Sequence, residues 1–465
     1  MTPAMVSINP FTEQPIERFE ITTDAQLESI LAASEKGFHE WRRRPLEARA
    51  RWLTALAAGF TQEREKLART ATLEMGKPLG EALAEVDKCA RTCLWLAQNA
   101  ERLLGDEAHP SNAAMSYVAF DPLGCVLAVM PWNFPYWQAL RALAPALLAG
   151  NVMLLKHASN VSRCSLEIER VVREAGAPAG VFASLILPPQ AVEKLIGDRR
   201  VAAATVTGSE GAGAAVAKAC GAALKKTVLE LGGSDPFIVL ADADIAQAAK
   251  TAVKARFQNN GQSCVAAKRF IVVREQLAAF TQSFATEAAK LRMGDPLLEE
   301  TTIGPLAKRE FADTLRKQEQ DSVKAGARAQ AFGETPAHGY FYAPTMLTEV
   351  GEEMVAFREE TFGPLAAIIA ADSEAHAIAL ANKSRFGLGS ALWTRDLEKA
   401  KALARQIESG SVFINGMVAS DARLPFGGIK KSGYGRELSE FGVRELVNIK
   451  TVWVGPATEE PTTRS

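Results

Sequence analysis

The 465-residue chain carries almost no net charge and has few cysteines, histidines or tyrosines. Its 53 basic and 54 acidic side chains leave a formal net charge of −1, which offers no broad attraction to nucleic acid or to an anionic membrane. No apolar run reaches membrane-spanning length, and residues 1–20 lack the apolar stretch of a signal peptide. These absences predict a cytoplasmic protein without a nucleic-acid or membrane partner.

The six cysteines form neither a Cys-x-x-Cys pair nor a cluster with metal-ligand spacing, so no metal site is expected. Reduced thiols are typical of the cytosol. Five of them fit positions for small buried apolar residues: Cys89, Cys93, Cys125, Cys164 and Cys220. Cys264 differs, because it lies among small, polar and glycine residues in Gln-Asn-Asn-Gly-Gln-Ser-Cys-Val, where a substrate can reach a thiol.

A carboxylate that could serve this thiol lies 34 residues earlier, at Glu230 in Val-Leu-Glu-Leu-Gly-Gly-Ser. A free thiol is only a few per cent ionised at neutral pH, so a catalytic cysteine needs a base, a cation or a helix N-terminus. The nearest histidines in sequence are His157 and His338. A cysteine–histidine pair assembled in space therefore stays open, but Glu230 is the better candidate base for Cys264.

The length predicts two domains or more, since one hydrophobic core rarely supports so long a chain. Helical periodicity dominates the first hundred residues, and short apolar runs then alternate with helical segments. Alternation of this kind predicts an α/β fold with parallel sheets covered on both faces. The predicted strands are residues 125–130, 152–155, 181–187 and 201–206 in one unit and residues 237–240, 269–273 and 366–370 in a second.

The two units join at residues 231–234, between Glu230 and Cys264, so we expect the active site in the cleft between them. Residues 117–129 and 444–454 read as extended segments outside both units. We expect them to pair in a protruding sheet that supports oligomerisation. The end of the chain is rich in Pro, Thr and Glu, which is typical of disorder.

Polar residues follow several predicted strands, at the edge where open α/β sheets bind ligands. Asn133, held between two prolines in residues 131–135, could donate to an oxyanion or could simply support a turn. The glycine-rich residues 207–213 stand between a strand and a helix, where backbone amides can bind a phosphate, although a plain turn fits equally well. Lys156 could bond ribose hydroxyls or be solvated.

Together with residues 358–364 and the glycine-rich loop 425–437, these segments resemble the aldehyde dehydrogenase superfamily from about residue 8 to residue 454. Leu-Lys-His-Ala, Gly-Gly-Ser-Asp-Pro-Phe-Ile-Val-Leu and Ala-Ser-Asp-Ala-Arg look like the bacterial succinate semialdehyde dehydrogenases of the Sad type. The resemblance implies the aldehyde dehydrogenase fold, with a Rossmann-like cofactor domain, an α/β catalytic domain and a small β oligomerisation element, in homodimers or homotetramers. The expected bounds are 1–114 and 130–231 for the cofactor domain, 232–440 for the catalytic domain, 115–129 and 441–456 for the oligomerisation sheet, and 457–465 for a disordered tail.

The resemblance also implies a role for each motif. Cys264 would attack the aldehyde, Asn133 and the Cys264 backbone N–H would hold the oxyanion of the thiohemiacetal, and Glu230 would activate water against the thioester. The residues implied in cofactor binding are Trp132, Lys156, Ser159, Gly208, Ser209, Gly213, Leu231, Glu360 and Phe362.

Two positions bear on the cofactor. Many NAD-preferring members carry a glutamate where this chain has Ser159, and the neutral serine leaves room for the 2′-phosphate, so both NAD and NADP are expected to fit. Residues 187–190, Leu-Pro-Pro-Gln, replace the glycine that the family usually has near the adenine.

The small-molecule substrate expected from the resemblance is succinate semialdehyde, which is oxidised to the acid. Its carboxylate would want an arginine and a hydroxyl at the tunnel mouth. Candidates that could line that tunnel are Tyr136, Trp137, Arg141, Ser420 and Arg423, although Arg423 could equally form a surface ion pair. Glutarate semialdehyde or another short-chain aldehyde is an alternative substrate. A CoA-acylating enzyme is disfavoured by Glu230, and a cofactor-free cysteine hydrolase or a non-catalytic scaffold is disfavoured by the full motif set.

Overall fold

A computed structural model describes residues 4–455 of the chain. Strands and helices alternate through most of these residues, as the apolar periodicity predicts. The strands are β1 Ala4–Ile8, β2 Pro15–Glu20, β3 Glu107–Ala108, β4 Met115–Pro122, β5 Cys125–Met130, β6 Val152–His157, β7 Phe182–Leu185, β8 Val201–Thr207, β9 Lys226–Glu230, β10 Asp235–Val239, β11 Ala267–Val273, β12 Arg328–Ala331, β13 Thr345–Thr348, β14 Leu365–Ala371, β15 Phe386–Gly387, β16 Ser390–Trp393, β17 Val412–Ile414, β18 Ile429–Lys430, β19 Gly433–Tyr434 and β20 Val447–Val454.

The helices differ in how they begin: α1 begins at a capping box formed by Thr23 and Gln26, whereas α2 has no capping side chain. They are α1 Asp24–Trp41, α2 Leu46–Gln62, α3 Arg64–Met75, α4 Leu79–Gln98, α5 Ala100–Leu104, α6 Pro135–Leu148, α7 Ser162–Glu174, α8 Ala191–Gly197, α9 Glu210–Ala222, α10 Ile245–Phe257, α11 Arg274–Ala288, α12 Arg309–Lys324, α13 Val355–Arg358, α14 Glu374–Asn382, α15 Leu397–Ala404 and α16 Ser439–Val443. Within residues 4–455, none of these helices combines the length and the apolar character that crossing a membrane requires.

The first large sheet has six strands in the order β19-β9-β8-β5-β6-β7, and its neighbours pair in parallel except for β19. The four runs predicted as strands in the first unit are confirmed as β5 to β8. Helices α6 and α7 pack on this sheet around a core that includes Val126, Leu143 and Leu154. Parallel strands bring their carboxyl ends to one edge, which places residues 131, 157, 208 and 231 near one another.

The second large sheet has seven strands in the order β12-β13-β14-β11-β10-β16-β17, in parallel except for the β12–β13 pair. It is buried on both faces: Ile238 packs in one apolar cluster, whereas Phe237 and Val239 pack in another. Alternate side chains of a strand point to opposite faces, so β10 serves two cores. The three strands predicted for this unit are confirmed as β10, β11 and β14.

A separate antiparallel sheet has the order β20-β4-β3, with Val447 opposite Pro122 and Val454 opposite Met115. The predicted pairing of the two extended segments is confirmed, but their bounds differ. β4 ends at Pro122, and residues 125–129 belong to β5 of the six-stranded sheet instead. The chain is redirected at Leu123 and Gly124, whose N–H groups both donate to Asn151 Oδ1, at 2.8 and 3.0 Å. Residues 439–446 are helical, so the second segment begins at Val447.

The first hundred residues are mostly helical, as their periodicity predicts, with a β1–β2 hairpin ahead of α1. One further feature departs from the sequence expectation. The glycine-rich loop 425–437 is not confined to the second unit, because β19 pairs with β9 and sets Gly433 opposite Glu230. The loop therefore closes over the strand that ends at the predicted base. The predicted tail 457–465 lies outside the described residues.

Candidate active site

Cys264 is positioned by a tight turn after α10. In the 3-10 turn Gln258–Gly261, Asn259 and Asn260 both have φ of 56°, a left-handed conformation that asparagine tolerates better than most residues. Gly261 also has positive φ, and a Cβ there would lie 2.5 Å from the Gly363 carbonyl carbon. The turn is held by Asn259 Nδ2, which donates to the Asn133 and Gln262 carbonyls at 2.9 and 3.0 Å. The thiol thus stands at a constrained bend before β11.

Two cavities meet at this thiol. The first cavity, of about 280 Å³, lies at the edge of the six-stranded sheet and includes Asn133, Thr207 and Leu231 in its lining. The second cavity, of about 400 Å³, lies between α4, α6 and the loop before the glycine-rich segment. Cys264 and Gln138 line both cavities. A molecule in either cavity can therefore reach the same sulfur.

The Cys264 thiol is protonated at rest. Burial raises its pKa to about 11, although the nearby Arg141 and Lys268 cations favour the thiolate. The Lys268 ammonium is itself fully buried and donates to the Ser263 and Cys264 carbonyls at 3.0 and 2.8 Å. Lys268 also lies 3.4 Å from the Glu360 carboxylate. Lys268 therefore links the Cys264 loop, through hydrogen bonds, to Glu360, through an ion pair.

Glu230 ends β9 and is buried, but it does not line either cavity. Both of its carboxylate oxygens lack a hydrogen-bond partner among the described residues. Burial, and then repulsion from Glu437, raise its pKa well above 4.5. Arg141 opposes this shift and forms an ion pair with Glu437. When Glu230 is ionised, its negative charge lies close enough to Cys264 to help raise the pKa of that thiol.

Asn133 has the geometry of an oxyanion donor. Its Nδ2 donates one hydrogen to the Gln262 carbonyl at 3.0 Å, and the side chain is 2 % exposed in the wall of the first cavity. One amide hydrogen remains for a ligand. The turn interpretation also holds in part, since the Asn133 carbonyl accepts from Asn259.

Six of the nine predicted cofactor residues line the first cavity: Trp132, Gly208, Ser209, Leu231, Glu360 and Phe362. Ser209 caps α9, its Oγ accepting from the Ala212 N–H, and the start of this helix has further backbone N–H groups of the kind that bind phosphate. Glu360 accepts from the Gly233 N–H at 3.0 Å, and a Cβ at Gly232 would lie 2.3 Å from its carboxylate. These residues fit a dinucleotide.

The other three predicted cofactor residues lie outside that lining. Lys156 is the penultimate residue of β6 and is 6 % exposed, and burial lowers its pKa. Ser159 starts a 3-10 turn just beyond β6. Gly213 has a packing role, because a Cβ there would lie 2.5 Å from the Leu231 side chain. Its lack of a side chain lets α9 approach the sheet closely.

The predicted substrate residues divide in the same way. Trp137, Arg141 and Ser420 line the second cavity, whereas Tyr136 and Arg423 do not. Tyr136 is fully buried, makes an edge contact with Phe60 at 6.3 Å and has a pKa raised by burial, so it belongs to the core. Arg423 is 71 % exposed and binds Asp421 through two nitrogens, at 2.8 and 2.6 Å. Both residues therefore lie outside the lining of the cavity in which they are expected from the sequence.

Sequence reasoning missed several residues that line the cavities. Phe311 on α12 stacks on Trp132 at 4.8 Å and 17° in the first cavity. Gln138 lines both cavities, and its Oε1 accepts from Arg141 at 2.9 Å. Lys88 on α4 lines the second cavity. The only local signal for Phe311 and Lys88 is helical periodicity, which does not reveal what faces the helix.

Comparison with known proteins agrees with this geometry. The model of the aldehyde dehydrogenase family matches residues 2–452. A probable succinate-semialdehyde dehydrogenase (NADP+) of Synechocystis is 47% identical over 97% of this chain and 100% of its own, and succinate-semialdehyde dehydrogenase (NADP+) 1 of Mycobacterium tuberculosis is 47% identical over 97% and 99%. The crystal structure of succinic semialdehyde dehydrogenase from Streptococcus pyogenes with NADP+ has a TM-score of 0.95 and 38% identity, covering 97% of this chain and 100% of its own. Since the family model spans nearly the whole sequence and these relatives match it from end to end, the chain belongs to the aldehyde dehydrogenase family.

Proposed function

We propose that this aldehyde dehydrogenase oxidises succinate semialdehyde to succinate through Cys264, with NADP as the preferred cofactor. The observation that carries the proposal is the position of the Cys264 thiol in the wall shared by two cavities. One cavity has the groups that fit a dinucleotide, and the other combines aromatic walls with basic side chains that suit an ω-carboxylate aldehyde. The relatives named as NADP+-linked succinate-semialdehyde dehydrogenases support the same substrate and cofactor.

In the first half of the reaction, the Cys264 thiol gives its proton to solvent water and its sulfur bonds to the aldehyde carbon. Arg141 and Lys268 favour the thiolate. The oxygen of the resulting thiohemiacetal gains negative charge, which the free amide hydrogen of Asn133 and the Cys264 backbone N–H stabilise. When bound, a nicotinamide would supply the hydride acceptor, and loss of the hydride would leave the acyl group as a thioester on Cys264.

In the second half, Glu230 takes a proton from water so that the water can attack the thioester. The carboxylate must first ionise and turn toward Cys264, and its two oxygens have no hydrogen bonds to break. Arg141 favours the ionised form. Release of the acid restores the thiol.

We assign the unit with the six-stranded sheet to cofactor binding and the unit with the seven-stranded sheet to catalysis. The β20-β4-β3 sheet is the oligomerisation element. Ser159 supports NADP, because a neutral side chain does not repel a 2′-phosphate. Six free cysteines among the described residues support a cytoplasmic location.

Steady-state kinetics test the substrate and the cofactor separately. Succinate semialdehyde, glutarate semialdehyde and butanal are each assayed with NAD and with NADP. The expected result is the highest kcat/KM for succinate semialdehyde with NADP. Equal efficiency for charged and uncharged aldehydes would contradict the substrate, and a preference for NAD would contradict the cofactor choice.

We also propose that β20 and β4 join copies of the chain in a homodimer or homotetramer. Their exposed apolar side chains include Met115 at 55 %, Ile449 at 59 % and Trp453 at 53 %. Patches of this kind mark interfaces. Ile449→Asp should lower the mass measured by analytical ultracentrifugation. Leu298→Asp, which changes an exposed residue in a loop, is the control and should leave the mass unchanged. An unchanged mass for Ile449→Asp contradicts this interface.

A further inference from the structure

The second cavity has an aromatic and aliphatic wall with a few charged groups set into it. Phe134, Trp137, Phe426, Met417 and Val418 form the apolar part, and Cys264 lies among them. An ω-carboxylate aldehyde bound at Cys264 must place its carboxylate against another part of this lining. A carboxylate in such a wall requires a positive partner, because an unpaired charge away from water is costly.

Lys88 is a cation in this wall without a carboxylate partner. Its Nζ donates to Ser420 Oγ at 2.6 Å and stands 4.3 Å from the centre of the Trp137 ring. Among the described residues, Lys88 makes no salt bridge within 4 Å. Burial, and then the nearby Arg141, lower its pKa to about 8, while Glu85, Cys89 and Asp421 oppose the shift.

The buried ionic groups next to Lys88 already have partners. Glu85 accepts from the Tyr136 and Trp137 N–H groups at 2.8 and 2.9 Å and pairs with Lys77. Arg141 pairs with Glu437. Neither carboxylate is free to neutralise Lys88, and Arg141 is not free to bind a new anion without giving up Glu437.

The charges at the outer side of the cavity do not replace Lys88. Arg423 is bound by Asp421 and points into solvent. Lys254 lines the cavity but is exposed, so water screens its charge. Lys88 is the partly buried cation that still has donors to offer: one of its three hydrogens goes to Ser420, and two remain.

We infer that Lys88 binds the ω-carboxylate of the substrate, and that the Ser420 hydroxyl, which accepts from Lys88, donates a second hydrogen bond to it. Arg423 contributes indirectly, because it neutralises Asp421, whose negative charge near Lys88 and Ser420 would otherwise repel the carboxylate. The inference rests on the proposed function and adds the group that recognises the substrate. It replaces the arginine expected from the sequence by a lysine on a helix far away in the chain.

The test compares Lys88→Met with the native enzyme on succinate semialdehyde and on butanal, with saturating NADP. Methionine keeps most of the unbranched stem and the helix propensity of lysine and removes its charge. Loss of a charge-assisted hydrogen bond should lower kcat/KM for succinate semialdehyde about 10- to 100-fold, mainly through KM. The value for butanal should stay within about twofold, because that substrate has no carboxylate to bind.

Three further variants sharpen the comparison. Lys88→Arg keeps the charge and should keep the preference for succinate semialdehyde. Arg91→Met removes an exposed cation from the same helix and should behave as the native enzyme. Arg423→Met tests the rival anchor. If Arg423→Met loses the preference and Lys88→Met keeps it, the inference is overturned.

The outcomes separate the two proposals. A native enzyme that oxidises succinate semialdehyde no better than butanal overturns the proposed substrate and this inference together. A native enzyme that prefers succinate semialdehyde, with Lys88→Met retaining the preference, overturns only the role of Lys88. As a second readout, kcat/KM for succinate semialdehyde is divided by kcat/KM for butanal across pH. This ratio should fall above pH 8 in the native enzyme, as Lys88 loses its proton, and stay flat in Lys88→Met. A flat ratio in both proteins contradicts the inference.

Discussion

Replacing Glu230 with glutamine should stop the reaction at the thioester. The Glu230 oxygens make no hydrogen bond among the described residues, so the isosteric amide removes no contact and leaves the thiol and both cavities in place. What disappears is the general base of the second half-reaction. General-base catalysis contributes about 10²- to 10⁴-fold, which corresponds to about 2.7–5.5 kcal/mol in the barrier for deacylation.

Rapid mixing with succinate semialdehyde and NADP resolves the two halves. Glu230→Gln should show a burst of about one NADPH per active site, as expected when an acyl-enzyme accumulates, followed by slow turnover. The native enzyme must ionise a carboxyl whose pKa is raised by burial, so its deacylation should speed up with rising pH, and that dependence should be lost in the variant. A normal steady-state rate in Glu230→Gln at neutral pH would refute the assignment of the base.

The same substitution has a consequence for stability whose sign follows from the pKa. Since the folded-state pKa of Glu230 is raised above its ordinary 4.5, the protonated group favours the folded state below pH 4.5, and this contribution is lost as pH rises toward the folded value. Glutamine does not ionise. Glu230→Gln should therefore melt at a higher temperature than the native protein at pH 8, with the difference narrowing toward pH 5; a lower melting temperature at pH 8 contradicts the raised pKa.

Three other substitutions test separate parts of the site. Cys264→Ala should abolish aldehyde oxidation while NADPH binding, followed by fluorescence, is retained; persistent turnover in the variant would exclude Cys264 as the nucleophile. Because the pKa of this thiol is about 11, its alkylation by iodoacetamide in the native protein should accelerate from pH 7 to pH 10. Gly427→Ala would place a Cβ 2.6 Å from Glu230 Oε1, so deacylation should slow by about 10²-fold while thiol alkylation is unchanged. Ser159→Glu should lower kcat/KM for NADP relative to NAD, and an unchanged ratio would remove Ser159 from cofactor choice.

Much of the fold follows from local patterns. The apolar periodicity places β5, β10 and β11 within a few residues of their observed bounds. These elements are read correctly because each buries its own face, and the period of its apolar residues reports that burial directly. The errors fall at junctions, such as the step from β4 to β5, where a side chain from elsewhere, Asn151, directs the backbone.

The predicted substrate residues show why adjacency in sequence predicts the lining of a cavity less well than periodicity predicts helices and strands. Tyr136 and Trp137 are neighbours, yet successive helical residues point about 100° apart, so Tyr136 enters the core against Phe60 while Trp137 lines the second cavity. Arg423 stands in a motif typical of substrate contact, but Asp421, two residues away, takes its guanidinium. Lys88 has no motif at all.

The reactive groups proposed for this protein can be found in its sequence alone. A cysteine in a polar glycine-rich turn, a glutamate before Gly-Gly and an asparagine between prolines carry their chemistry in their own side chains and nearest neighbours. The pairing of charges becomes visible only in the folded chain, where Glu230 lies buried beside Glu437 and Lys88 faces the cavity without a counterion among residues 4–455. Those properties depend on burial and on pairing between residues hundreds of positions apart, and no local pattern encodes such long-range electrostatics.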